Sequence, residues 1–299
     1  MSLRQRLANL VHSLRRPSRA ARSIITSLRR LDSFTAAGIL FAIRRDSIAR
    51  NPLLAYGAKY YSQHDEDGII EEIARRILDV RVGTFLELGV GNGVENNTLN
   101  LLAKGWRGVW LGGESLAFAS TGKRLSFKQC WIDRENVAAL VHAALQAHGI
   151  EQLDLLSLDL DGNDHAFCKQ LLDSGLRPAV WVVEYNARFS PATRWVMPYS
   201  AEHQWDGSDY FGASLAAFHD LLSAAGYRLV ACNLTGVNAF FVRADLAAHF
   251  PEVPSEWQRL YMPATYLLYP SFVHPPSPRT VQSYLNEAVD DEPHRTNCI

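Results

Sequence analysis

The chain has 299 residues, of which 47% are hydrophobic and 20% are charged, as is ordinary for a globular protein with one large core. Its formal net charge is only −1, but residues 1–50 carry eleven arginines against two acids, whereas residues 51–299 carry 19 basic and 29 acidic side chains. An acidic body opposes phosphate binding, so we expect no nucleic-acid partner. The composition therefore predicts a basic arm attached to an acidic globular body.

The arm at residues 1–50 has leucines at roughly helical spacing and arginines on its other faces. We expect a helical segment that contacts an anionic membrane or a protein partner. An alternative stays open, in which the arm is a helical cap that folds onto the acidic surface of the body.

The cysteines and the apolar segments bear on the cellular compartment. Cys130, Cys168, Cys232 and Cys298 are scattered without C-x-x-C spacing, which favours reduced thiols. No uninterrupted apolar stretch reaches the ~18–20 residues of a membrane-spanning helix. The basic start lacks the compact apolar core of a secretory signal. We expect a cytoplasmic protein, held at the membrane periphery if the arm binds lipid.

From residue 51 onward, apolar runs typical of buried parallel strands alternate with helical patterns. The last two runs are joined by residues 233–236, a turn sequence that predicts an antiparallel hairpin. The predicted strands are residues 84–88, 108–111, 126–132, 153–159, 180–184, 227–232 and 237–243. The predicted helices are residues 69–78, 99–104, 135–148, 165–172 and 214–225.

This order predicts a doubly wound, mostly parallel α/β sheet that is closed by a C-terminal antiparallel β-hairpin. We divide the chain into a basic helical arm at residues 1–50, a sheet domain at residues 51–245 and a proline-rich extension at residues 246–299. In such open sheets, ligands bind beyond the carboxyl ends of the strands. The polar clusters at those ends are therefore the candidate functional residues.

The most informative stretch is residues 84–98, where an apolar run ends in three glycines and passes into a helical pattern. A strand, a glycine turn and a helix together let a nucleotide approach bare backbone. The dinucleotide fingerprint G-x-G-x-x-G is not met, because Val94 stands where its third glycine belongs. A nicotinamide-dependent oxidoreductase is disfavoured for this reason. The spacing resembles instead the first motif of S-adenosylmethionine-dependent methyltransferases, with Glu87, Gly89, Gly91 and Gly93 at the cofactor.

Polar side chains also crowd the ends of the fourth and fifth predicted strands, residues 153–159 and 180–184. Carboxylates that meet in one crevice repel each other unless they bind a cation, share protons or hydrogen-bond a substrate. Oxygen ligands of this kind suit Mg²⁺ or Ca²⁺. The candidate metal ligands are Asp159, Asp161 and Glu184, the candidate catalytic residues are Asp161, His165 and Glu184, and the candidate acceptor-binding residues include Asn163 and Asn186.

Residues 187–211 form the largest insertion, and they are rich in aromatic side chains. We expect this segment to roof the crevice, with Trp205 and Tyr210 stacking on the acceptor, since aromatic faces pack on the apolar faces of sugars. The alternative is that these large rings only pack the loop itself.

Several of these motifs, taken in order over roughly residues 60–243, resemble the FkbM-type methyltransferases. The matching segments are Gln63 with Glu66-Asp67, the glycine turn that runs into Asn97-Thr98, residues 105–110 and residues 158–164. The resemblance implies a Rossmann-like methyltransferase fold, S-adenosylmethionine as the cofactor, and O-methylation of a sugar or polyketide-type hydroxyl. It also implies that Gln63, Glu66, Gly89, Gly91 and Asn97 lie on the cofactor side of the crevice.

One position departs from that pattern. The second strand of such folds usually ends in an acid that accepts hydrogen bonds from the cofactor ribose, and here Gly112 takes its place. Losing such an acceptor costs about 1.5–3 kcal/mol, or roughly tenfold to a hundredfold or more in affinity, unless Glu114 reaches the ribose instead. We predict an S-adenosylmethionine-dependent O-methyltransferase that acts on a hydroxyl of a carbohydrate or glycoconjugate, with a small molecule or a glycan as the acceptor. The alternative is a non-catalytic subunit or binding module of the same fold that has lost its cofactor.

Overall fold

A seven-stranded sheet forms the centre of the protein in the computed structural model, which describes residues 19–78, 82–120, 123–265 and 277–286. The order of strands across the sheet is β3-β2-β1-β4-β5-β7-β6. The strands are β1 (Thr84–Leu88), β2 (Arg107–Gly112), β3 (Leu125–Gln129), β4 (Leu155–Leu158), β5 (Val180–Glu184), β6 (Tyr227–Cys232) and β7 (Asn238–Arg243).

Helices connect the strands and extend the chain at both ends of the described part. They are α1 (Arg19–Ser47), α2 (Glu66–Leu78), α3 (Leu99–Ala103), α4 (Val137–Ala147), α5 (Asp164–Asp173), α6 (Leu215–Ala224) and α7 (Pro278–Asn286), with 3-10 helices at Pro52–Tyr56, Ala244–His249 and Trp257–Leu260. Among the described helices, none has both the length and the apolar composition needed to cross a bilayer.

Strands β1 to β5 are parallel, and β7 runs antiparallel between β5 and β6. Most residues of β1, β2, β4 and β5 are buried, as expected for parallel strands that are covered on both faces. The chain reaches β3 at one edge and then returns to β4 on the other side of β1, so the strand order reverses between β1 and β4. This order, with its reversed β7, is the Rossmann-like methyltransferase fold, and the predicted fold class is confirmed.

The strand bounds agree with the predicted ones to within three residues. The largest difference is at β3, which ends at Gln129 instead of residue 132. Its ladder with β2 ends at the pair Gly112 and Gln129. β3 has no other neighbour in the sheet, so the pairing that defines it stops where β2 stops.

The arm joins the body at its C-terminal end. Leu40 of α1 is buried in the core, and Arg44 donates to two carbonyl oxygens of the 3-10 helix Pro52–Tyr56. Arg50 donates to the carbonyl oxygen of Tyr261. This part of the arm is a helical cap, as in the alternative, but Arg44 and Arg50 contact backbone oxygens of the body, and Arg45 pairs with Asp46 of the arm itself. Residues 1–18 lie outside the described residues, so membrane contact stays a prediction.

The cysteines of the described chain carry free thiols. Cys168 and Cys232 are buried, and Cys130 is half-buried. Burial raises the pKa of the Cys232 thiol to about 12, which keeps it protonated and unreactive at neutral pH. Cys298 lies outside the described residues.

Candidate active site

A cavity of about 540 Å³ opens at the carboxyl edge of the sheet, where the strand order reverses. Its volume is within the range of about 300–1,000 Å³ that is usual for small-molecule sites. Of the predicted site residues, those that line it are Gln63, Glu66, Glu87, Gly89, Gly91, Asn97, Glu114, Asp159, Asp161, Glu184, Asn186 and Trp205. The structure places Gly93, Asn163, His165 and Tyr210 outside this lining.

The glycine turn after β1 supplies one wall of the cavity, and each glycine has a different reason to be there. Gly89 has φ of 89°, and a Cβ atom there would lie 1.5 Å from the carbonyl oxygen of Asp159, so only glycine lets the ends of β1 and β4 meet. A Cβ atom on Gly91 would meet nothing within 4 Å, which leaves its backbone open to the cavity. Gly93 is packed beneath Leu116 instead, where a Cβ atom would lie 2.7 Å from a methyl group.

Glu87 anchors the glycine turn from below. Its buried carboxylate accepts hydrogen bonds from the backbone N–H groups of Asn97 and Thr98 and from the Thr98 hydroxyl. Burial raises the pKa of Glu87 to about 7, against these hydrogen bonds. Both carboxylate oxygens are engaged by the loop, so the structure makes Glu87 a loop anchor, although we expected it to bind the cofactor directly.

Glu66, at the start of α2, also lines the cavity. It accepts hydrogen bonds from the backbone N–H of His64 and from the side-chain amides of Asn233 and Asn238, at 2.9, 2.7 and 3.2 Å. Burial acts to raise the pKa of Glu66, but the hydrogen bonds and the charge of His64 outweigh it and lower the pKa. An ionised carboxylate therefore faces the cavity beside Gln63.

The start of α2 explains why that helix begins earlier than predicted. Asp67 accepts hydrogen bonds from three successive backbone N–H groups, those of Tyr60, Tyr61 and Ser62. This folds the preceding segment over the first turn, and the helix begins at Glu66. Acids at that end also complement the helix dipole.

The end of β2 has a glycine for a steric reason as well. A Cβ atom on Gly112 would lie 3.1 Å from Cγ2 and 3.3 Å from the backbone nitrogen of Val90, because the glycine turn is pressed against the strand. Glu114, two residues further on, is exposed and lines the cavity. Glu114 is therefore the acid near the end of β2 that faces the cavity.

Three carboxylates meet at the ends of β4 and β5. One oxygen of each of Asp159, Asp161 and Glu184 lies within 4.8 Å of the others. Burial, and then the charges of neighbouring acids, raise the pKa of Asp159 and of Glu184 well above the usual carboxylate range. Both carboxyl groups therefore hold a proton more readily than an ordinary acid.

The turn that presents these acids is strained. Asp161 has φ of 55°, in the left-handed region that costs energy for a residue with a side chain. Asp164, at the start of α5, closes the turn by accepting hydrogen bonds from the backbone N–H groups of Leu160 and Gly162. Burial is the main cause that raises the pKa of Asp161, and the charge of His203 opposes it.

The structure brings a different histidine to the acids than the predicted one. His165 lies on α5 with its ring 5.4 Å from that of Phe218, and burial lowers its pKa. It does not line the cavity, so the prediction that it acts as a base at the crevice is wrong. His203 comes instead from the insertion, and its Nε2 lies 3.2 Å from the carbonyl oxygen of Asp161. Gly162 makes room for it, since a Cβ atom there would lie 2.2 Å from the His203 ring.

Residues 187–211 reach over the cavity, and two of the predicted acceptor-binding residues hold them in place. Asn186 donates to the carbonyl oxygens of Asp209 and Phe211, and Asn163 pairs with the backbone of Ser200 through both ends of its amide. We call residues 187–211 the lid. These two asparagines anchor it, and Asn163 does not line the cavity.

The aromatic residues of the lid divide between lining and packing. Trp205 lines the cavity and is 52% exposed. Tyr210 packs edge-on against Trp195, and its neighbour Phe211 lines the cavity in its place. The insertion thus reaches the cavity through Trp205 and Phe211 and packs on itself through Tyr210, while stacking on an acceptor stays a prediction.

Sequence reasoning missed several lining residues, although most of them adjoin a predicted motif. Arg188 and Asp209 form an ion pair at 3.3 Å on the lid, for which the sequence offers no signal. The other missed residues of the lining include Val90, Asn92, Glu95, Asn96, Tyr185, Phe211 and Asn238.

Comparison with known proteins gives weak global similarity. No protein-family model matches the chain, and no curated protein matches it. Matching solved structures include the pyocyanin biosynthetic protein PhzM, at 21% identity over 57% of this chain and 53% of that one, with a TM-score of 0.34. An O-methyltransferase family 2 protein from Planctomyces limnophilus, in complex with apigenin, matches at 13% identity over 57% of each chain, with a TM-score of 0.31.

Human N-acetylserotonin methyltransferase in complex with S-adenosylmethionine (SAM) matches at 14% identity, over 70% of this chain and 66% of that one, with a TM-score of 0.32. The chain spans only about half the length of the first two of these proteins. At this level of similarity the activities of these proteins do not transfer to the chain. The FkbM-type resemblance stays a prediction.

Proposed function

We propose that the protein is a SAM-dependent O-methyltransferase that acts on a hydroxyl group of a carbohydrate or glycoconjugate. The observation that carries the proposal is one cavity at the switch point of a methyltransferase-type sheet, with bare glycine backbone on one wall and a carboxylate crevice on another. One cavity would thus hold both the cofactor and the acceptor.

The cofactor half would be formed by the glycine turn, the start of α2 and the end of β2. The open backbone at Gly91 and the ionised carboxylate of Glu66 suit SAM, which carries a positive sulfonium and an ammonium group. Glu114 is the candidate partner for the ribose. When bound, the cofactor supplies an electrophilic methyl group.

The acceptor half would be the crevice between β4 and β5. In the transfer, a bond forms between the acceptor oxygen and the methyl carbon as the carbon–sulfur bond breaks, and the hydroxyl proton passes to a carboxylate. Asp159 and Glu184 are the candidates to receive it, because both line the cavity and a raised pKa makes the ionised form of each a stronger base. The protein otherwise contributes alignment, with the lid closing over the reacting groups.

A bound Mg²⁺ ion, in place of protons, would also neutralise these three carboxylates. Asp159, Asp161 and Glu184 offer hard oxygen ligands within 4.8 Å of one another. In that form of the proposal, the three acids would hold the cation, and the cation would supply Lewis-acid activation of the acceptor hydroxyl. Turnover in the presence of a chelator separates the two forms, because only the metal-dependent one loses activity.

A second candidate function, a non-catalytic binding module, is favoured by Val90. Its contact with Gly112 leaves little room for a side chain at the usual ribose-binding position. In this alternative the cavity binds a small molecule but not SAM.

A matched pair of glycine variants tests the cofactor site. Gly91 and Gly175 both have positive φ, and a Cβ atom on either meets nothing within 4 Å, but only Gly91 lines the cavity. Asparagine tolerates such backbone, so both Gly91→Asn and Gly175→Asn are expected to fold. S-adenosylhomocysteine at a hundred times its Kd stabilises a protein by about 2.7 kcal/mol.

We expect this ligand to raise the melting temperature of the wild type and of Gly175→Asn, but not that of Gly91→Asn. An absent shift in the wild type at millimolar ligand contradicts the proposed function and supports the binding module. An equal shift in all three proteins contradicts the location of the site.

A further inference from the structure

The charge of the cavity is one-sided. Eight of the lining residues that the structure describes are Asp or Glu, and the basic ones are Arg188 and His64. Each of these bases already faces an acid of its own, since Arg188 lies 3.3 Å from Asp209 and His64 Nδ1 lies 3.6 Å from Glu66. A cleft in which acids outnumber bases in this way concentrates cations and repels anions.

The acids of the acceptor half are not satisfied by the protein alone. Oε2 of Glu184 is buried, and within the described chain no group donates a hydrogen bond to it. A buried acceptor of this kind favours a ligand that brings donors.

The three oxygens are close enough together to accept hydrogen bonds from one cationic group of the acceptor. A primary ammonium has three N–H donors in a tetrahedral arrangement. Donors that reach oxygens at about 2.9 Å hold those oxygens about 4.7 Å apart. The oxygens of Asp159, Asp161 and Glu184 lie no more than 4.8 Å from one another, which is close enough for one ammonium group to reach all three.

We infer that the acceptor is an amino sugar or a similar amino alcohol, whose ammonium group binds to Asp159, Asp161 and Glu184 beside the hydroxyl that is methylated. This inference rests on the proposed function and names its substrate class. One of these carboxylates would take the hydroxyl proton as the oxygen–methyl bond forms and the carbon–sulfur bond breaks. Acceptors with a phosphate or a uronic-acid carboxylate are excluded by repulsion.

A panel of matched methyl glycosides tests the inference on the full-length protein, with a metal chelator and saturating S-adenosylhomocysteine. The panel contains hexopyranosides with a free amine at carbon 2, 3, 4 or 6, the hydroxyl parent, the N-acetyl derivatives and the glucuronide. Binding is measured by calorimetry. At least one free amine is expected to bind about tenfold or more tightly than its parent and its N-acetyl derivative, and the glucuronide is expected not to bind.

Variants test whether the three acids cause the preference for the amine. Glu184→Gln and Asp161→Asn are expected to reduce the ratio of amine to parent affinity towards one, whereas Asp173→Asn, an exposed acid of α5 outside the cavity lining, is expected to leave it unchanged. The comparison of amine with parent in the wild type stands even where a variant fails to fold.

Three outcomes overturn the inference: the parent binds as tightly as every amine, no amine binds at millimolar concentration, or binding of the parent appears only when Mg²⁺ replaces the chelator. Failure of the proposed function has a different signature, since S-adenosylhomocysteine itself then gives no binding. In that case the same panel without the cofactor product still measures the preference for the amine.

Discussion

Asp159 and Glu184 are the residues on which the proposed chemistry depends, because burial and neighbouring charges prevent both from being ionised without a partner. We predict that Asp159→Asn and Glu184→Gln each lower kcat by about 10²–10⁴-fold, as loss of a general base does. His165→Gln is the contrast, and we expect it to change kcat by less than about threefold because its ring packs on Phe218. The measurement is transfer of a labelled methyl group from SAM, with the Kd of S-adenosylhomocysteine as control. A large loss in His165→Gln alone contradicts this assignment.

The pH dependence of the rate follows from the same pair. The pKa of Asp159 and that of Glu184 are raised in the free protein, whose ionisation kcat/KM reports. We therefore expect kcat/KM to rise with pH at values well above the usual carboxylate range. The charge of Asp161 is one cause of both shifts, so Asp161→Asn is expected to move this rise to lower pH. A rise that stays in place in the variant contradicts the electrostatic origin of the shift.

Gly112 allows a direct test of the missing ribose acceptor. An aspartate there would place its Cβ atom 3.1 Å from the Val90 side chain, so Gly112→Asp alone is not expected to tighten SAM binding. With Val90→Ala added, the carboxylate has room, and we expect affinity to rise by about tenfold or more over the Val90→Ala control. An equal affinity in the double variant and the control shows that Glu114 already makes this contact, or that the ribose lies elsewhere.

The strands and the residues that follow them were predictable at the level of elements, because apolar runs fix where a parallel strand ends. Asp159, Asp161, Glu184 and Gly91 were located in this way. Residues beyond the strands were harder to place, since whether His165 faces a cavity depends on the phase of α5. His203 reaches the site only because a long insertion returns over Gly162.

The lid gives a prediction at this scale. Asn163→Ala removes two hydrogen bonds to the backbone of Ser200, each worth about 0.5–1.5 kcal/mol. We expect the KM of the acceptor to rise by roughly tenfold while the Kd of S-adenosylhomocysteine is unchanged, because Ser200 is not among the residues that line the cavity. Thr193→Ala, an exposed residue of the same insertion, is the matched control. A rise in both constants would show that the asparagine supports the whole site.

At the scale of the whole molecule, the buried acids make stability depend on pH in an unusual direction. The pKa of Glu87 is raised from its ordinary value of 4.5 to about 7 in the fold, and that of Asp65 is raised to about 7 as well, in both cases mainly by burial. Between those values the folded chain holds protons that the unfolded chain has lost, so the free energy of unfolding falls as pH rises through this window.

Calorimetric melting across this window, without ligand, checks the expected fall. Glu87→Gln cannot ionise, so its melting temperature is expected to vary less with pH than that of the wild type. A wild type that becomes more stable as pH rises from 4.5 to 7 contradicts the burial of these acids as protonated groups.

The central claim is that the cavity at the carboxyl edge of the sheet is a SAM site despite Gly112. The most direct test is a calorimetric titration of the wild-type protein with SAM, with S-adenosylhomocysteine as competitor. We predict saturable one-to-one binding with a micromolar Kd, competed by the product. No saturable heat at millimolar SAM would contradict the claim, and the protein would then be a methyltransferase-type fold that serves another ligand.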